Sequence, residues 1–104
     1  MLFLVDWKLN ENISSEERLR VIRRLTSTGI FPASGVTVVR WDVTPDARGI
    51  TILEAASAED VVLAVDTWRA AIPGFFKRTR TSPLVAVADI VPYEEALAQA
   101  VKGA

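Results

Sequence analysis

The chain contains no histidine and no cysteine. Those two absences exclude thiolate nucleophiles, zinc sites of the usual kinds, Ser–His–Asp triads and a proximal histidine for haem. The serines do not fill the gap. Ser14, Ser15 and Ser57 stand where helices begin, with no base beside them, so they read as caps rather than nucleophiles. Any chemistry rests on carboxylates, Lys, Arg, Tyr or a group that brings its own reactivity. No metal and no cofactor is expected. No apolar run approaches the ~20 residues that a membrane span needs. Charge of one sign is also missing: 12 basic and 13 acidic residues leave a net charge of -1. Nothing electrostatic therefore points to nucleic acid. Met1–Val5 leads straight to Asp6, without the basic region or small-residue cleavage site of a secretory signal. The expectation is a soluble, cytoplasmic protein.

What is present is a rich supply of apolar residues, half of a 104-residue chain. That is enough to build one core, so residues 1–104 are read as one domain. Leu2–Lys8 alternates as a strand. Ser14 and Glu17 have capping-box spacing, and Gly29 is a natural stop, which predicts a helix over Ser15–Thr28 with Leu19, Ile22 and Leu25 on its inner face. Val36–Val43 is β-branched and strand-like. Thr44 to Gly49 is turn-rich, and Ile50–Ala55 completes a hairpin. Ser57 and Asp60 open a second helix whose stripe is Val61, Val65, Trp68 and Ile72, closed by Pro73-Gly74. The remainder admits two strands, Phe75–Ser82 and Leu84–Val91, parted by Pro83. Pro92 would then open a short helix over Tyr93–Val101. Residues from about 84 to 102 read as an extension.

The order β-α-β-β-α-β is that of a ferredoxin-like α+β fold. Right-handed crossovers place both helices on one face of an antiparallel sheet with strand order 4-1-3-2. Phe3, Val5 and Trp7, with Val39, Trp41 and Val43, are expected to meet the helices. The other face is expected to carry Leu2, Leu4, Val36, Val38 and, from the third strand, either Ile50 and Ile52 or Leu53. A solvated face should turn polar. An apolar second face needs cover, and a second copy of the sheet supplies it, predicting a homodimer.

Short motifs spread over nearly the whole chain carry a resemblance: Met1-Leu2-Phe3-Leu4-Val5, Gly35-Val36, Arg40-Trp41, Arg48-Gly49, Ile52-Leu53-Glu54-Ala55, Trp68, and Phe76 to Pro83. Together they are similar to a bacterial family of unknown-function domains in the dimeric α/β-barrel superfamily. The resemblance implies two ferredoxin-like sheets packed face to face. It also implies a range of activities, since the superfamily includes muconolactone isomerases, cofactor-free quinone-forming monooxygenases, haem-degrading enzymes and members with no known activity. Closer relatives often carry a histidine after the tryptophan of the second strand. Asp42 stands there instead, which weakens any transfer of activity through that position.

Five charged residues are the candidate site: Asp6, Lys8, Arg40, Asp42 and Glu54. The first four sit at the C-terminal ends of the two parallel strands, at one edge, with Lys77 near. They read either as a polar mouth suited to a small aromatic or phenolic ligand, or as salt bridges that fix the dimer. Glu54, inside an apolar strand, reads as a buried base, as a structural partner to an arginine across the dimer, or as a residue at the wet strand end before Ala55. Trp7, Trp41 and Trp68 read as core rather than as a stacking site. The expected function is small-molecule binding between the sheets of a homodimer. The alternative is a cofactor-independent isomerase or monooxygenase acting on an aromatic or lactone substrate, with Asp6, Asp42 or Glu54 as base and Arg40 stabilising negative charge.

Overall fold

The computed structural model describes residues 1–104. Its elements are β1 (Leu2–Leu9), α1 (Ser15–Ser27), β2 (Val36–Val43), β3 (Arg48–Ala55), α2 (Ala58–Ala71), β4 (Phe76–Leu84) and α3 (Val87–Gly103). The four strands form one sheet in the order β2-β3-β1-β4, antiparallel at every seam. This is the ferredoxin-like α+β arrangement expected from the sequence. No helix is long and apolar enough to cross a membrane.

Local chemistry sets both helix starts. Ser14 Oγ accepts the Glu17 N–H at 3.2 Å, and Ser57 Oγ accepts the Asp60 N–H at 3.3 Å. Glu16, Glu17, Glu59 and Asp60 lie in the first turns, where the positive helix end favours them. Gly29, at φ 73°, takes the left-handed backbone that ends α1. The inner face of α1 is Val21 and Leu25 with Ile22 partly buried, while Leu19 is exposed. α2 buries Val61, Ala64, Val65 and Trp68.

The two faces of the sheet divide cleanly. Phe3, Val5 and Trp7 of β1 and Thr51, Leu53 and Ala55 of β3 are buried beneath the helices. β2 departs from expectation. Val36 pairs with Ala55 and Val38 with Leu53, so both valines face the helices and not the open side. The register then slips between Val38 and Arg40. This β-bulge shifts the two-residue alternation by one, so Trp41 (opposite Thr51) and Val43 (opposite Gly49) also face the helices. Val39, expected on the inner face, is the extra residue and is exposed.

The C-terminal third departs more. β4 runs through Pro83 to Leu84, which an edge strand tolerates because no ladder N–H is needed there. The expected strand Leu84–Val91 does not form. α3 begins at Val87 and carries Pro92 inside it rather than at its start. Helix formers (Ala88, Glu94, Glu95, Ala96, Leu97, Ala98, Gln99 and Ala100) outweigh the β-branched residues at its beginning. None of its residues is buried. α3 projects from the sheet and gives the chain a radius of gyration of 17.5 Å. A compact chain of this length would have about 13 Å.

Candidate ligand-binding site

Between the sheet and the two crossing helices lies a cavity of about 340 Å³. That falls within the usual range for small-molecule sites, roughly 300–1,000 Å³. Of its 15 lining residues, 13 are hydrophobic. Six are aromatic and form one unbroken series of ring contacts. Trp41 meets Phe31 at 5.4 Å and Trp68 at 5.6 Å, and Phe31 meets Trp68 at 5.0 Å. Trp68 then meets Phe75 at 5.4 Å, Phe75 meets Phe76 at 5.0 Å, and Phe76 meets Trp7 at 6.2 Å. Most of these pairs are edge-to-face or tilted, as the ring quadrupole favours.

The six rings come from five segments. Trp7 stands on β1, Phe31 follows α1, Trp41 follows the bulge of β2, Trp68 is on the last turn of α2, and Phe75-Phe76 lead into β4. Trp7 is fixed from two sides. Its indole N–H donates to Thr51 Oγ1 at 3.0 Å in a buried bond. Its ring lies against Gly49, where a Cβ would collide with the indole and with the Asp42 carbonyl. Trp7 and Trp68 are nearly inaccessible, but Trp41 is 40 % exposed and stands at the opening. The two polar lining residues are Thr51 and Asp42. Thr51 Oγ1 accepts the indole N–H, which leaves the hydroxyl proton to donate.

The five sequence-derived site residues lie on the other, open face of the sheet. The register sets Asp42, Ile50, Asp6 and Arg80 in one row across the four strands. Asp6 and Asp42 are therefore two strand spacings apart, about 10 Å, with Ile50 between them. Lys8 is one row further along, and its Nζ bonds Glu11 Oε1 at 2.9 Å and the Asp46 carbonyl. Lys8 thereby holds the Glu11 carboxyl below its ordinary pKa, by hydrogen bond first and by charge second. Arg40 Nε donates to Asp42 Oδ2 at 2.5 Å, and this bond raises the Arg40 pKa. Glu54 does not join them. It is exposed near the far end of β3, opposite Leu2 and Thr37. Asp42 alone belongs to both the polar edge and the cavity lining. No group of three or more carboxylates converges anywhere in the chain.

The aromatic series was not read from the sequence, where the tryptophans were assigned to packing. No local pattern carries that series, because the rings come from five separate segments.

Residues 1–98 match the family model DUF3303, a domain of unknown function. The chain belongs to the DUF3303 family. Among the curated proteins, none is significantly similar in sequence. Two solved structures share the ferredoxin-like α+β fold of this DUF3303 chain. Protein Atu4242 from Agrobacterium tumefaciens is 16% identical, with a TM-score of 0.55, over 84% of this chain and 95% of its own. 5-Chloro-2-hydroxyhydroquinone dehydrochlorinase (TftG) from Burkholderia phenoliruptrix AC1100, solved with 2,5-dihydroxybenzoquinone, is 20% identical, with a TM-score of 0.50, over 86% of this chain and 98% of its own.

Proposed function

We propose that this DUF3303 chain is a homodimeric binding domain for a small, flat, largely apolar molecule carrying a hydrogen-bond acceptor, such as a phenol or quinone. The observation that carries this reading is the helix-side cavity with its six rings and its one inward hydroxyl. Rings offer stacking surface, Thr51 offers a donor to a ligand oxygen, and Trp41 stands at the opening. The quinone held by the structural neighbour TftG belongs to the same chemical class. The pairing of two chains is supported by the open sheet face, where Leu4, Ile50 and Ile52 form an apolar centre that continues through Leu2 to Leu84 at one end of the sheet.

An isomerase or monooxygenase would need a carboxylate and a cation converging on the bound molecule. Asp42 is the only acidic residue of the lining, and its carboxylate stands on the open face, where Oδ2 accepts from Arg40 Nε. Binding is therefore favoured over catalysis.

Tryptophan fluorescence and melting temperature, read against a panel of phenols, naphthols and benzoquinones, test the ligand. We expect saturable quenching with one molecule per chain. Trp41→Ala should weaken it by about tenfold, the scale of one stacking contact, and Arg40→Ala should leave it unchanged. A panel that neither quenches nor shifts melting would remove the binding reading. For the pairing, Ile52→Arg places a cation at the centre of the open face without touching the core. It should turn a dimer into a monomer in sedimentation, and a wild type already monomeric at micromolar concentration would refute the pairing.

A further inference from the structure

No lysine or arginine lines the cavity. β1, α1, α2, β3 and β4 contribute apolar side chains and the Thr51 hydroxyl, and β2 adds Trp41, Val43 and Asp42. The Asp42 carboxylate stands on the open face against Arg40. The other charges of the sheet are directed the same way. Lys8, Arg48 and Arg78 share one row of the open face, Asp6 and Arg80 share the next, and Glu54 lies further along. Lys77 is exposed where β1 and β4 shift register. On the helix side, Arg69 is held by Asp66 Oδ1 at 3.0 Å and by the Thr79 hydroxyl. Arg18, one turn before Ile22, donates from Nη2 to Ser15 Oγ at 3.1 Å, and its Nη1 is buried without a partner. Neither guanidinium belongs to the lining.

We infer that the cavity selects its ligand by charge state and takes only an uncharged molecule, a quinone or an un-ionised phenol, with one oxygen on Thr51. The inference rests on the ligand-binding reading and adds to it which form of the ligand is held and which is refused.

The physical reason is the single hydroxyl at the floor. Thr51 is buried on β3 beneath the helices, accepts the Trp7 indole N–H, and has one proton left to give. A neutral oxygen that enters exchanges a hydrogen bond with water for one from Thr51, which leaves its balance nearly even. A phenolate or a carboxylate loses a whole hydration shell instead. One neutral hydroxyl among hydrocarbon walls does not replace that shell, and no cation is there to meet the charge. Turning the ring over does not rescue the anion. Its oxygen then sits at the opening beside Trp41, out of reach of Thr51, while Arg40 is on the other face and engaged with Asp42. Quinones and weakly acidic phenols therefore qualify at neutral pH. Aromatic acids, and phenols acidic enough to ionise there, do not.

The chain suits the test, because it lacks histidine and cysteine, the side chains that ordinarily titrate near neutrality. Equilibrium dialysis of the full chain compares 4-nitrophenol, which ionises near neutral pH, with its methyl ether 4-nitroanisole, which does not. The dissociation constant of the phenol should rise by at least about tenfold from below its own pKa to above it, while that of the ether stays constant. Methyl 4-nitrobenzoate should bind, and 4-nitrobenzoate should not. Thr51→Val should weaken the un-ionised phenol by about fivefold, the scale of one hydrogen bond, and Thr51→Ser should not. A phenol whose affinity ignores its ionisation would overturn the charge selection and leave the cavity a binding site. A constant that rises for the ether as well would place the titration in the protein and would also overturn it. So would 4-nitrobenzoate bound as tightly as its ester, and loss of that binding in Arg18→Gln would locate the anion at the unpartnered guanidinium. An indifferent Thr51→Val would overturn the placement of the oxygen. Ether and ester that bind at no pH would overturn the ligand-binding reading itself.

Discussion

Thr51→Val should expose how dry the floor of the cavity is. Valine has nearly the shape of threonine but cannot accept the Trp7 N–H. Both residues are 6% exposed, so the indole N–H finds no bulk water to replace its 3.0 Å partner. A buried donor left without an acceptor costs about 1–3 kcal/mol. The added methyl returns up to about 0.8 kcal/mol of apolar burial. Taking the middle of the first range, about 2 kcal/mol, the net loss should be about 1 kcal/mol, or roughly 4–8 °C in Tm for a domain of this size. Urea unfolding followed by fluorescence, at one fixed chain concentration so that association does not enter, measures it. The same substitution in a Trp7→Phe background should cost markedly less, because the donor is already gone. A Thr51→Val protein within about 0.5 kcal/mol of wild type would mean that water reaches the indole N–H. An equal cost in both backgrounds would mean that the hydrogen bond is not the cause.

Gly49→Ala should destabilise by about 1–3 kcal/mol, the usual scale of overpacking, because its methyl meets the Trp7 ring on one side and the Asp42 carbonyl on the other. Thermal unfolding measures it, and a neutral result would show that the indole is free to move off the sheet. Acid should loosen the β2–β3 hairpin. Asp46 is held below its ordinary pKa first by the Thr44 hydroxyl and then by Arg48, whose Nε donates at 2.9 Å. A depressed folded pKa stabilises the hairpin above the unfolded value, and that contribution is lost as pH falls through the folded one. Amide exchange at Ala47 and Arg48 should accelerate in that window, and Asp46→Asn should remove the pH dependence.

Sequence periodicity revealed the element order, both helix caps and the strand order, because each rests on local chemistry: Ser14 and Ser57 on backbone N–H groups, and alternation on Phe3, Val5 and Trp7. β2 was misread because alternation assumes an unbroken ladder. One extra residue at Val39 moves Val36 and Val38 to the inner face without leaving any mark in composition. The C-terminal third was misread because Val85, Val87, Ile90 and Val91 favour strand by type, while the helix formers that decide the matter lie further on. The charged edge was placed on the correct face, but spacing along a strand does not tell which side chains already have partners. Arg40 and Lys8 both do. The cavity is a property of how six rings from five segments fail to fill a layer, and no single segment contains that information.

The bulge in β2 also governs how the molecule can associate. A sheet with two bare edges can grow indefinitely, each chain adding to the next. Here the slip at Val39 interrupts the donor and acceptor rhythm of one edge. The other edge, β4, carries Lys77, Arg78 and Arg80 and, one residue before its end, Pro83, which offers no N–H to a further strand. Both directions of open-ended growth are obstructed, while the flat side is left clear. In the homodimer we propose, contact through that side pairs two molecules about an axis and then is used up. One supernumerary residue thus steers the chain away from filaments and toward assemblies of finite size.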